Sequence, residues 1–184
     1  MRPLSRAKIL MFSCIGYHGT SPENVDSILQ NGYKLSGKDA WFGSGVYFFG
    51  DLLPYFPGER EAIQWMLYYK RVETWAVIIS DIRSEKCFDM LEDSSDRQSF
   101  DEIKNALFIK HVQAGKDPLY FKDNIVFKKL EDARHFEVIR ALVNASKNQH
   151  IAYTVSRPQV QICVKNLAAI LSSKLTKTGS RHDY

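Results

Sequence analysis

Two short stretches constrain this chain more than any overall property: Tyr17-His18-Gly19-Thr20-Ser21 and, downstream, Gly43-Ser44-Gly45-Val46-Tyr47-Phe48. In both, apolar β-type residues abut small and hydroxylated ones. Each reads as a strand end opening onto a cleft, with glycines that let backbone approach a ligand closely. A histidine on one edge and a tyrosine on the other can clamp a polar, partly aromatic ligand. That is the form of a nucleotide site.

The segments between and after these stretches carry ordinary folding signals. Ser21 suits an N-cap and Pro22 the first helical position, while Val25, Ile28 and Leu29 make one apolar face. Asn31-Gly32 supplies a left-handed stop, so a short helix is expected over 22–30. The segment 51–58 holds two prolines and reads as a loop, and a helix is expected over 59–69 with Ala62, Trp65, Met66 and Tyr69 at helical spacing. Trp75-Ala76-Val77-Ile78-Ile79 is β-prone and reads as a central strand. The charged stretch 81–101 reads as a solvated loop and helix face, because its acids lack the glycine turn of a calcium loop. Helices are then expected over 100–113 and 131–147, the second with Phe136, Ile139 and Leu142-Val143 inward. Strands at 150–155 and from Gln161 onward complete the pattern. The order suggests a mixed α/β or α+β domain without a repeating βαβ rhythm.

At 184 residues the chain is long enough for one full core, and nothing marks an interdomain linker. The expected organisation is one domain over 1–184, with an N-terminal arm at 1–11 and a basic tail at 174–184. The formal charge of +4 is compatible with an anionic ligand or nucleic acid, but a solvated basic surface is the preferred explanation. Cys14, Cys87 and Cys163 are widely spaced, so no familiar zinc pattern arises, and Cys14 and Cys163 read as small buried hydrophobes. That usage fits a reducing, cytoplasmic compartment. Basic residues precede the apolar run 9–15, but the run leads straight into the His18 motif and reads as the first core strand rather than a leader. No stretch approaches the ~18 apolar residues of a membrane span.

Tyr17-His18-Gly19-Thr20 followed by Phe42-Gly43-Ser44-Gly45-Val46-Tyr47-Phe48 resembles the first two motifs of the ADP-ribosyltransferases of the diphtheria toxin/poly(ADP-ribose) polymerase class. The resemblance covers roughly residues 12–170 and implies a split β-sheet around an NAD cleft. It implies that His18 holds the adenosine ribose of NAD and that Tyr47 stacks on nicotinamide. Gly19, Thr20 and Gly45 would contribute to NAD binding, with no metal involved. A second stacking aromatic is implied after the Tyr47 strand. Trp65 is chosen, with Tyr55, Tyr68 and Tyr69 as rivals, and Trp65 also fits as an ordinary core residue. The third motif of the family begins with a catalytic glutamate. Gln161 stands at the start of the corresponding run, Gln161-Ile162-Cys163-Val164, so the match departs from the family at that position.

The chemistry follows from that departure. Nicotinamide leaves NAD through a transition state with oxocarbenium character, which negative charge stabilises. His18 can bond ribose hydroxyls, Tyr47 offers a π-face with its hydroxyl free for a further bond, and Gln161 brings hydrogen bonds but no formal charge. Ser21 reads as a cap in preference to a ligand. Gln159 shares the strand face of Gln161, and the pair resembles the Glu-x-Glu or Gln-x-Glu of arginine-modifying relatives without its glutamate. The implied function is mono-ADP-ribosylation of a protein or nucleic-acid acceptor, in the manner of a bacterial toxin or phage-conflict effector with an antitoxin as a conceivable partner. The alternatives are an inactive NAD or ADP-ribose binding module and a basic nucleic-acid-binding domain.

Overall fold

A computed structural model describes residues 11–52, 57–144 and 158–183. The chain builds strand β1 (Phe12–Thr20), a 3-10 turn (Pro22–Asn24) running into helix α1 (Val25–Asn31), strand β2 (Val46–Gly50) and helix α2 (Gly58–Gln64). A π-helical turn (Trp65–Lys70) leads to β3 (Thr74–Ser84) and β4 (Cys87–Asp89). Helices α3 (Ser94–Gln113) and α4 (Asn124–Arg134) then precede β5 (Val138–Asn144), β6 (Pro158–Val164) and β7 (Ile170–Ser180). The seven strands form one sheet in the order β4-β5-β6-β2-β1-β3-β7. Only β4 and β5 run parallel. The fold is α+β.

Strand alternation explains how the sheet is covered. Phe48, Ile78 and Ile162 face one side, where they join Val46, Ile82 and Tyr33 in a single core. Their neighbours in sequence, Phe49, Val77 and Cys163, face the other side, which carries two separate cores. Helices α3 and α4 pack Phe100, Val126, Phe127 and Leu130 against Phe88, Ile139 and Cys163. Helix α2 and the π-turn pack Ala62, Ile63, Met66 and Leu67 against Phe49, Trp75 and Val77. Because the described helices gather in two clusters, part of this face near the middle strands has no helical cover among the described residues.

Local signals placed the first half of the chain well. The helix after β1 ends at Gly32, whose φ of 80° is the left-handed stop expected there. The second half needs corrections. The helix expected over 131–147 does not form, since α4 stops at Arg134 with His135 left-handed and 138–144 is strand β5. Val138 and Ile139 are both fully buried. A strand covered on both faces shows a continuous apolar run, which spacing alone cannot tell from a helix. The basic tail expected over 174–184 contains most of β7, which pairs with β3. Its exposed lysines belong to an edge strand, where charge discourages pairing with another chain.

The acidic stretch is also more structural than a solvated face. Asp93 caps α3 by accepting from the Ser95 and Asp96 amides. Asp96 is buried, accepts from the Asp89 amide and pairs with Arg134, while Asp89 pairs with Arg140. Cys163 is buried and Cys14 half-buried, and burial pushes their thiols up to about 11 and about 12. No described helix is long and apolar enough to cross a membrane. The strand expected at 150–155 and most of the N-terminal arm lie outside the described residues.

Phe88 joins the helical layer to the sheet edge, with Phe136 at 5.3 Å, the edge of Phe127 at 6.4 Å and the Arg134 guanidinium over its ring at 5.3 Å. Phe88→Ala is expected to lower stability by about 3–5 kcal/mol. A urea unfolding midpoint that stays at the wild-type value contradicts this packing.

Candidate functional site

The sheet is continuous everywhere except at its middle. β1 pairs with β3 along its whole length, from Phe12 to Thr20, and β2 pairs with β6 from Val46 to Gly50. Between β1 and β2 the register has one pair, Tyr17 opposite Phe49. Beyond Tyr17 the two strands diverge, one toward Thr20 and the other toward Val46. The opening is a cleft of ≈ 790 Å³, within the range of small-molecule sites.

His18 sits at the throat of this opening. Its Nδ1 lies 2.9 Å from the Tyr47 carbonyl oxygen. A carbonyl only accepts, so Nδ1 carries the proton and Nε2 is left as an acceptor in the neutral ring. The imidazole thus replaces the backbone donor that a continuous ladder would have supplied. Tyr33 and Phe48 hold the ring edge-on, with centroids 5.1 and 5.7 Å away. Tyr33 is itself fixed through its hydroxyl to Ser80 at 2.8 Å, and Ser80 to Ser173 at 2.7 Å. Burial holds the His18 pKa below its ordinary value, and the bond to Tyr47 only partly offsets it. The ring is therefore neutral at pH 7.

All the sequence-selected residues line this one cleft. His18, Gly19 and Thr20 form the β1 lip, Gly45 and Tyr47 the β2 lip, and Gln161 and Trp65 complete it. The two glycines are required by close approach. A Cβ on Gly19 would lie 2.5 Å from the Ala62 carbonyl oxygen, and one on Gly45 would lie 2.3 Å from Cys163 Sγ. Gln161 lies opposite Phe49, on the face left uncovered between the two helical clusters.

The Tyr47 hydroxyl is not free, contrary to expectation. It donates to the Gly43 carbonyl and accepts from the Phe42 amide, both at 2.8 Å, closing the loop that precedes β2. Its ring lies parallel to Phe42, with centroids 5.9 Å apart and an interplanar angle of 9°. Burial pushes its pKa well above the ordinary tyrosine value. Tyr47 is thus a fixed surface with no proton to exchange at neutral pH. Ser21 also departs from expectation: it occupies the N-cap position, but its side chain makes no cap bond, and it faces the cleft.

Among the rival aromatics, Trp65 and Tyr69 line the cleft and stack on each other at 4.3 Å, whereas Tyr68 does not line it and Tyr55 lies outside the described residues. The π-helical turn accounts for the stack. Its i→i+5 hydrogen bonds widen the turn and bring side chains four apart closer to eclipse. Sequence reasoning did not single out Tyr33, Trp41, Lys34 or Lys70. Tyr33 supports His18, and the other three line the cleft. Tyr33 directly follows the helix-stopping glycine, and that position was the only local hint of it. The charged residues of the lining are Lys34 and Lys70, and no Asp or Glu is among the described lining residues. No group of three or more His, Cys, Asp or Glu suited to a metal occurs among the described residues.

No protein-family model matches the chain, and no curated protein matches it.

The His18 environment has a measurable consequence. Its folded-state pKa is depressed, so between that value and the ordinary ~6.5 the unfolded chain binds more protons. Stability is expected to rise with pH through this window and to fall on acidification below ~6.5. The His18 ring proton resonances should titrate with a midpoint below ~6.5, and His18→Gln should remove that part of the stability slope. A midpoint at or above ~6.5 contradicts the buried, neutral ring.

Proposed function

We propose that the cleft binds NAD and that the protein is a mono-ADP-ribosyltransferase acting on a macromolecular acceptor. One observation carries the reading: His18, Tyr47 and Gln161, taken from three separate sequence motifs, converge on one cleft where a sheet divides. The electrostatics agree with an anionic, aromatic ligand. Lys34 and Lys70 favour phosphates, and Tyr47, Trp65 and Tyr69 offer ring faces.

In this reading His18 Nε2 accepts a hydrogen bond from a ribose hydroxyl of the adenosine half. The nicotinamide ring lies against Tyr47, with Trp65 as the second aromatic wall. The bond from C1′ of the nicotinamide ribose to the ring nitrogen breaks, and nicotinamide leaves with the bonding pair, which neutralises its own positive charge. An acceptor nucleophile attacks C1′ and loses a proton. Gln161 holds the ribose by hydrogen bonds but adds no charge opposite the developing cation, so turnover is expected to be slower than with a carboxylate there.

The same feature favours a second reading. Among the described residues the cleft is lined by amides where the chemistry calls for an anion, as in a module that binds NAD or ADP-ribose without cleaving it.

Labelled NAD incubated with the protein and a cell lysate separates the two. Transfer of label by wild type, reduced at least about tenfold in His18→Ala, is the expected result, with protease and nuclease digestion assigning the acceptor. Gln161→Glu is expected to accelerate nicotinamide release by about tenfold or more, the effect of one charge-assisted hydrogen bond. NAD binding with neither transfer nor nicotinamide release in either protein supports the binding module. Absence of binding to both NAD and ADP-ribose eliminates both.

A further inference from the structure

Strand β6 presents two amides to the cleft, Gln159 and Gln161, two residues apart on one face and so about 7 Å apart along the strand. They are held differently. Gln161 makes no side-chain hydrogen bond to any described residue. Gln159 donates from Nε2 to Oε2 of Glu61 at 2.5 Å. Glu61 lies on α2, behind the cleft wall, and is 1% exposed.

That contact determines which end of the Gln159 amide meets a ligand. Nε2 is the Gln159 atom that meets the Glu61 carboxyl oxygen, so the amide turns its NH2 group toward Glu61. Its carbonyl oxygen is carried by the same planar carbon and is directed away from Glu61. The hydrogen bond to a carboxylate also polarises the amide and makes that oxygen a better acceptor.

We propose that Glu61 is a positioning residue that fixes Gln159 with its carbonyl oxygen toward the cleft. This end of the site is then a fixed acceptor that selects a donating group on its ligand, such as a hydroxyl, an amide or a guanidinium. Gln161 remains free to donate or accept as the ligand requires. The selection of a donor rests on the reading of the cleft as an NAD-dependent site, while the orientation of the amide does not.

Two measurements on the full chain test this, the first without ligand. The side-chain amide protons of Gln159, assigned by their loss in Gln159→Met, should exchange with solvent more slowly than those of Gln161. Glu61→Gln, which can present either end of its own amide, should abolish that protection. The second measurement is NAD titration. Glu61→Gln is expected to weaken binding about tenfold with little change in melting temperature. The exchanged pair Glu61→Gln with Gln159→Glu restores an acceptor facing the cleft and should return affinity to within about threefold. Should Glu61→Gln fail to fold, Gln159→Met, which removes the oriented acceptor together with the donor to Glu61, is expected to show the same tenfold loss. The proposal is overturned by Gln159 protons that exchange as fast as those of Gln161. It is also overturned by a Glu61→Gln protein that folds and binds NAD like wild type, or by an exchanged pair that folds without regaining affinity. Wild-type protein that takes up no NAD, yet shows Gln159 protection lost in Glu61→Gln, retires the NAD reading and leaves the positioning role standing.

Discussion

The hydrogen bond from the His18 imidazole to the Tyr47 carbonyl is the contact on which the cleft depends. Sheet formation tends to close strands along their whole length, because each unpaired buried backbone group is costly. Here a side chain satisfies the Tyr47 carbonyl at the point where the β1 and β2 backbones part. The opening is therefore made without leaving that acceptor orphaned. The residue that does this also lines the cleft. Its surroundings are built to match, with the Tyr33–Ser80–Ser173 chain beneath it tying the site to the far strands.

The arrangement of the cores keeps the opening from filling. One sheet face is covered by a single cluster, while the other is divided between α2 and the α3–α4 pair. The π-turn borders the gap with stacked Trp65 and Tyr69, and strand β2 borders it with Tyr47. Tyr47 commits its hydroxyl to Gly43 and Phe42, so it contributes a rigid surface whose orientation is settled before any ligand arrives. Preorganisation of this kind lowers the ordering cost of binding.

Electrostatically the site is unusual for cationic transition-state chemistry. Its described lining includes two lysines, a neutral histidine and three side-chain amides, whereas Glu61, bonded to Gln159, is not among the lining residues. A phosphate-bearing ligand is favoured by the lysines. In the proposed transfer reaction, stabilisation of a developing oxocarbenium ion would fall to amide dipoles, which are weaker than a formal charge at equal distance. On that proposal, the same set of residues serves binding better than turnover.

Much of the site was legible in the sequence because its signals are local. His18-Gly19-Thr20 and Gly43-Ser44-Gly45 are strand ends marked by glycines and hydroxyls, and Ser21-Pro22 to Asn31-Gly32 brackets a helix within a dozen residues. Those patterns act over a few bonds, so no partner is needed to read them. The run 138–144 was misread as helix because its apolar residues fit either period, and only the strands on each side made it β5. The basic segment 174–180 became an edge strand because β3 offered it a partner about a hundred residues earlier in the chain. The Tyr47 hydroxyl bonds and the Glu61–Gln159 pair were equally out of reach. Side-chain identity states what can be donated or accepted, but the partner is chosen by packing between segments far apart in sequence. The sequence alone determined which residues stand at the two glycine-marked strand ends that line the cleft. The tertiary structure decided that the sheet divides at His18, that the Tyr47 hydroxyl is committed to Phe42 and Gly43, and that the Gln159 amide nitrogen turns to Glu61.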